Sequence, residues 1–274
     1  MNLVSFVQVS LAFVAGGSFM AILSILAERS NDRIAGIIMM FPTTIVFGFF
    51  FLGWVTSPTK VALIVPSTLM PLGLVVFSSA IYIYTAKFIS QFKFAKRVEI
   101  LLSFFTSILI WLALAVPFAL FKFSNLIYGI AGYSVLSLIT YHILNLKQNG
   151  QDLPRPIYNT KQKIFRAVFM GSMIAVVVLL AKCLNLFWGG LFTMFPAATF
   201  SALITFHFYY EPNRLFFFMK RAPVGSISLF LYTISVMLLF PLIGIFFGTI
   251  GAYGVSLISS LILIQYYTAG AKCR

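Results

Sequence analysis

Apolar residues run almost unbroken along this chain, interrupted only by short clusters rich in Lys, Arg, Asn and Pro. Each run is about the length a helix needs to cross a bilayer. The pattern predicts helices over about Leu3 to Ala27, Ile34 to Val55, Val61 to Ala86, Ile100 to Phe121 and Leu126 to Leu146. After the longest polar stretch, Lys147 to Lys163, it predicts four more over about Ile164 to Leu186, Trp188 to Tyr210, Ala222 to Phe240 and Gly244 to Tyr267. Leu215 to Met219, just ahead of Lys220 and Arg221, reads as loop or as an interfacial segment. The expected fold is an all-α polytopic membrane bundle of nine transmembrane helices.

Charge orients that bundle. With nine crossings, 16 of the 19 Lys and Arg residues fall on one side, and only Lys60, Lys122 and Lys182 fall on the other. Basic residues collect on the cytoplasmic side, so the N-terminus is expected outside and the C-terminus inside. At 274 residues, 61% hydrophobic and 9% charged, the chain has little left over for a soluble domain. The net charge of +14 is therefore read as a topology signal and not as a nucleic-acid surface. Cys183 and Cys273 fall on opposite sides in this topology, which implies neither a disulfide framework nor a metal cluster. The first run lacks a basic leader and is longer than a signal-peptide core, so it is expected to stay as a helix.

The chain also resembles itself. A shift of 154 residues lays Gly17 to Thr44 over Gly171 to Ala198 with ten of 28 positions identical, among them Gly17/Gly171, Asn31/Asn185, Gly36/Gly190 and the triplet Met40-Phe41-Pro42 over Met194-Phe195-Pro196. Matched Gly, Asn and Pro at one shift exceed what apolar composition supplies, so duplication is expected. Met70-Pro71-Leu72-Gly73 facing Ala222-Pro223-Val224-Gly225 extends the match into the next helix. The implied organisation is a first unit over 1–121, a linker helix and cytoplasmic loop over 122–163, and a second unit over 164–274. An odd number of spans separates the units, so they face opposite ways, as in many secondary transporters. Gly129, Gly132, Ser134 and Ser137 also align with Gly251, Gly254, Ser256 and Ser259, which is read as small-residue packing.

At Leu26-Ala27, Ile34-Ala35-Gly36 and Phe41-Pro42-Thr43 the sequence resembles the GlpM-type small inner-membrane proteins, with Leu180-Ala181, Gly189-Gly190 and Phe195-Pro196 repeating the pattern and Ala197 replacing its Thr. The resemblance implies two such four-helix units fused in opposite orientations, placed in the cytoplasmic membrane of a prokaryote. By architecture alone this is similar to the drug/metabolite transporter superfamily, an analogy without a shared motif.

Candidate chemistry centres on the two Phe-Pro steps. Phe41, Pro42, Thr43 and Thr44 lie eight residues inside their helix, and Phe195, Pro196 and Thr199 occupy the related place in theirs. Each proline removes a backbone N–H and frees a carbonyl one turn earlier, which suits a substrate site near the midplane. Gly16, Gly17 and Gly171 are expected to let helices pack closely. Glu28 and Lys182 occupy equivalent positions at opposite surfaces and are candidate gates, against the plainer reading of charges that snorkel. His142 and His207 are read as structural or interfacial, and the acids Asp32, Glu99, Asp152 and Glu211 as cytoplasmic. With no carboxylate at depth and no nucleophile, triad or nucleotide motif, the expected function is transport of a small neutral or anionic solute, or of a lipid-linked carrier. No cofactor, metal, nucleic-acid partner or enzymatic activity is expected, and the alternative is a non-transporting assembly protein.

Overall fold

The computed structural model describes residues 3–29, 43–145 and 159–272, and these are helical apart from short turns, with no strand among them. Ten helices follow in order: α1 (Leu3–Arg29), α2 (Thr43–Val55), α3 (Pro58–Ile89), α4 (Lys96–Leu120), α5 (Leu126–Asn145), α6 (Thr160–Cys183), α7 (Leu186–Thr193), α8 (Ala197–Tyr209), α9 (Pro212–Met219) and α10 (Ala222–Lys272). Six helical stretches are long and apolar enough to cross a bilayer, and Phe6–Ile22 and Thr44–Val55 are shorter apolar helices. The protein is an all-helical membrane bundle.

The helix α3 forms the centre because it is apolar on all sides, with buried residues from Val61 to Ile89. Ser57 caps its start by accepting from the Lys60 backbone N–H, and Pro58 occupies the first turn, where a missing N–H costs nothing. Its buried hydroxyls Ser67, Thr68, Ser78 and Ser79 donate to carbonyls three or four residues back, so they are satisfied in an apolar interior. Small residues bring α5 alongside: a Cβ at Gly129 would lie 2.7 Å from the Pro66 carbonyl oxygen, and Gly73 lies against Tyr133 and Leu136.

The helices α1 and α6, which the sequence match at 154 residues pairs, pack directly on each other and run antiparallel. Gln8, near the start of α1, accepts a hydrogen bond from Lys182 at the end of α6, while further along Gly17 meets Ala167. At the crossing a Cβ on Gly171 would lie 2.5 Å from the Phe13 carbonyl oxygen, and one on Gly17 would lie 3.0 Å from the Ala167 carbonyl oxygen. These two contacts are reciprocal, because Phe13 and Ala167 are themselves 154 positions apart. Residue i touching the counterpart of j while j touches the counterpart of i is the mark of a two-fold relation. The pair α2 and α7 is antiparallel too, since Gly48 lies against Thr193 and Gly189 against Leu52.

Helix boundaries recur at the same offset. Val55 and Tyr209 end α2 and α8, and Pro58 and Pro212 begin α3 and α9, each pair 154 residues apart. The end of α3 at Ile89 corresponds to Ile243, after which Gly244 takes φ 78° and ψ 179° and breaks α10. Gly248 then packs on Phe240, so α10 is a helical hairpin, as the two runs around Gly244 predict. At the 154-residue offset Pro71 falls opposite Gly225, so the expected match of Pro71 with Pro223 belongs to a register two residues away. Leu215 to Met219 is helical and not loop: it lies in α9, where Leu215, Phe216 and Met219 are buried.

With φ at 78°, Gly244 holds a backbone conformation that L side chains rarely adopt, and nothing lies within 4 Å of a Cβ built there. The cost of Gly244→Ala is therefore backbone strain alone, about 1–3 kcal/mol. Thermal unfolding of the detergent-solubilised variant checks this, and an unchanged midpoint would mean that the hairpin corner is malleable.

Candidate functional site

The expected single helix over Trp188 to Tyr210 is two pieces, with the break at Met194-Phe195-Pro196. Pro196 has no N–H to bond the Phe192 carbonyl, and that carbonyl instead accepts from the Phe195 N–H at 3.0 Å. The chain then turns tightly about Pro196, where the Ala197 N–H reaches the Phe195 carbonyl at 2.7 Å, and helix resumes with the Phe200 N–H on the Pro196 carbonyl at 2.8 Å. Met194, Phe195, Pro196 and Ala197 are all buried. Irregular backbone at membrane depth is tolerated in such a protein-lined setting.

Aromatic rings surround the break. The Phe195 ring lies 5.3 Å from Trp111 of α4, 6.3 Å from Phe169 of α6 and 6.2 Å from Phe200 of α8, centroid to centroid. Trp111 is 1% exposed, and its indole Nε1 has no hydrogen-bond partner. Of the sequence candidates, Thr199 is half-buried one turn into this region. Thr44 is buried, with its hydroxyl 3.5 Å from the Met170 sulfur. Phe41, Pro42 and the side chains of Thr43 and Glu28 lie outside the described residues. Lys182, a candidate gate, is half-buried and donates to Gln8. Gly16, Gly17 and Gly171 sit at the α1/α6 crossing, where Gly16 faces Ile174.

A second group of residues continues from the break along α8. Pro196, Phe200, Leu203 and His207 form one buried face of that helix. Phe200 stacks toward Tyr82 at 6.3 Å, and the Tyr82 hydroxyl is 3.1 Å from His207 Nδ1. On the other side of the ring, His207 Nε2 is 3.8 Å from Glu99 Oε2. Lys96 Nζ lies 3.7 Å from the same oxygen and donates to the carbonyl of Tyr210, just past the end of α8, at 3.1 Å. His207 is fully buried and Glu99 is 7% exposed.

His207 is fully buried, the structural of its two expected roles, whereas His142 is exposed. Glu99 is buried as well, covered by the end of α8 and the Lys96 side chain. A sequence signal for this existed and was missed: Glu99, Ser103, Ser107 and Trp111 recur every four residues and share a buried face of α4. Ser103 donates to the Glu99 carbonyl and Ser107 to the Ser103 carbonyl, which keeps that polar stripe satisfied within its own helix. Among the described residues no group of three or more His, Cys, Asp or Glu is placed to hold a metal. Comparison with known proteins returns no matching family model, no matching curated protein and no matching solved structure.

Proposed function

We propose that this protein is a secondary transporter built from two inverted GlpM-type units, with nine spans, the N-terminus outside and the C-terminus in the cytoplasm of a prokaryote. The observation that carries the reading is the helix broken at Pro196 in the bundle interior, flanked by an unpaired Trp111 indole N–H. Broken helices of this kind present backbone dipoles to a solute near the midplane in transporters built of inverted repeats. The antiparallel packing of α1 on α6 and of α2 on α7, with boundaries recurring at 154 residues, supports the inverted duplication. Counting α2 with the run before it, α7 with α8 and the α10 hairpin as two supports nine spans.

The substrate is a small neutral or anionic solute, or the polar head of a lipid-linked carrier. Trp111 offers a donor and no acceptor, and the buried carboxylate of Glu99 already has Lys96 beside it, so neither favours a cationic solute. The competing reading, a scaffold that transports nothing, draws on the close packing of Met194 and Phe195, 0% and 6% exposed. In alternating access that packing is one closed state of the cycle.

Single cysteines at Thr44 and Thr199, in a background without Cys183 and Cys273, test the choice. Each is expected to react with a membrane-impermeant thiol reagent, and at least one of them from either side of the membrane in turn. Full protection of both from both sides, in correctly inserted protein, would favour the scaffold.

A further inference from the structure

We propose that Glu99 and His207 together form a proton-binding site, and that the proton is the coupling ion of the transport cycle; the coupling role rests on the transport reading above. A buried histidine between a hydroxyl and a carboxylate, with no other partner on Nε2, is a group with one vacancy for a proton. Tyr82 occupies Nδ1 at 3.1 Å. The Nε2 atom faces Glu99 Oε2 at 3.8 Å, beyond hydrogen-bond length, and has no partner of its own. A proton taken from water adds an N–H at His207 and changes nothing else covalently. The imidazolium then donates to Tyr82 on one side and to Glu99 on the other, and both rings of contact are satisfied.

The same carboxylate oxygen is also the partner of Lys96, at 3.7 Å. Protonated His207 therefore competes with Lys96 for Glu99. Lys96 is the side chain that holds the end of α8 through the Tyr210 carbonyl, so proton occupancy bears directly on how α8 is tethered to α4. The half-helix whose other end is the Pro196 break is the element that feels the change. Among the elements packed on α8, α3 contributes Tyr82, α4 contributes Lys96 and Glu99, α6 contributes the buried Arg166, α9 carries the exposed Arg214, and α2 and α7 carry no charged residue.

The fold does not require these groups. Positions 154 residues from His207, Tyr82, Glu99 and Lys96 are Gly53, Val236, Tyr253 and Ile250. In that half Gly53 packs on Ile245 and Phe240, and Val236 and Tyr253 belong to the same apolar core. One half of the molecule thus closes the corresponding place without a charge, while the other invests a carboxylate, a histidine and a lysine. Ionisable residues kept inside a membrane bundle without a structural need mark an ion pathway or relay.

The test uses the full chain in lipid nanodiscs, labelled with nitrogen-15 histidine and carrying His142→Gln so that His207 alone reports. Its ring signals are expected to titrate once within the pH range over which the protein stays folded. Glu99→Gln is expected to move the midpoint to lower pH by about one unit and Lys96→Gln to move it to higher pH by a similar amount. The two variants act in opposite directions, so either one suffices if the other fails to fold. A ring that does not titrate in that range, or a midpoint indifferent to both substitutions, would overturn the site. A titrating His207 in a protein whose cysteines at positions 44 and 199 stay protected would keep the proton site and remove the transport reading. Labelled cysteines with a silent His207 would do the reverse.

Discussion

Trp111→Ala is expected to cost about 3–5 kcal/mol of stability, the range for deleting a large aromatic from a packed interior. The indole is 1% exposed and lies edge-on to both Phe192 and Phe195, at 6.1 and 5.3 Å, so its removal opens a cavity against the backbone break that those rings brace. Trp111→Phe separates packing from hydrogen bonding. Because Nε1 has no partner, phenylalanine gives up volume but no hydrogen bond, and its cost is expected to stay below about 2 kcal/mol. Equilibrium unfolding in mixed micelles gives both numbers. Phe as damaging as Ala would show that the N–H is engaged in the resting protein. If the transport reading holds, Trp111→Phe also weakens solute binding more than it weakens the fold, since the lost donor matters only when an acceptor arrives.

The second large effect is expected at the α1/α6 crossing. Gly171→Ala puts a methyl 2.5 Å from the Phe13 carbonyl oxygen, which is main chain and gives way only if α1 moves as a body. Overpacking of this kind costs about 1–3 kcal/mol, and the rigid neighbour argues for the upper end. Gly225→Ala is the control, since nothing lies within 4 Å of a Cβ there, and it is expected to be neutral or slightly stabilising. Apparent melting temperatures by intrinsic fluorescence distinguish the two. Equal behaviour would mean that the two helices slide past each other freely. Gly17→Ala is expected to be milder than Gly171→Ala, because its closest neighbour, the Ala167 carbonyl oxygen, is 3.0 Å away.

The Pro196 break and the Gly171 crossing were both visible in the sequence, for the same reason. Proline and glycine act through the backbone within one or two turns, so their consequences are local and can be read from their own positions. The break is sharper than the expected kink because Phe195 takes the carbonyl that proline leaves, which ends α7 and lets the chain turn before α8 begins. Residue types match at the 154-residue offset only from Gly17 to Thr44, whereas the helix boundaries at Val55 and Tyr209 and at Pro58 and Pro212 keep that offset beyond it.

The buried cluster shows where such reading stops. Glu99 stands three residues after Lys96 at the start of a span, and by position alone it is an interfacial acid. His207 stands two residues before the end of α8 and by position alone is an interfacial histidine. What buries them is each other's helix: Tyr82 and His207 are 125 residues apart, and Lys96 reaches a carbonyl 114 residues away. Lys182 is similar, a terminal lysine by sequence that meets Gln8 of α1 across 174 residues.

The sequence by itself determined that this chain is a bundle of membrane helices, where most of them begin and end, and where one of them breaks. Bilayer thickness, helix rise and the backbone chemistry of proline and glycine impose those features along the chain, one segment at a time. The tertiary structure decided which polar groups share a site. It did so because burial and ion pairing in a bundle depend on which helices are neighbours, and neighbours are chosen by packing between residues far apart in the chain.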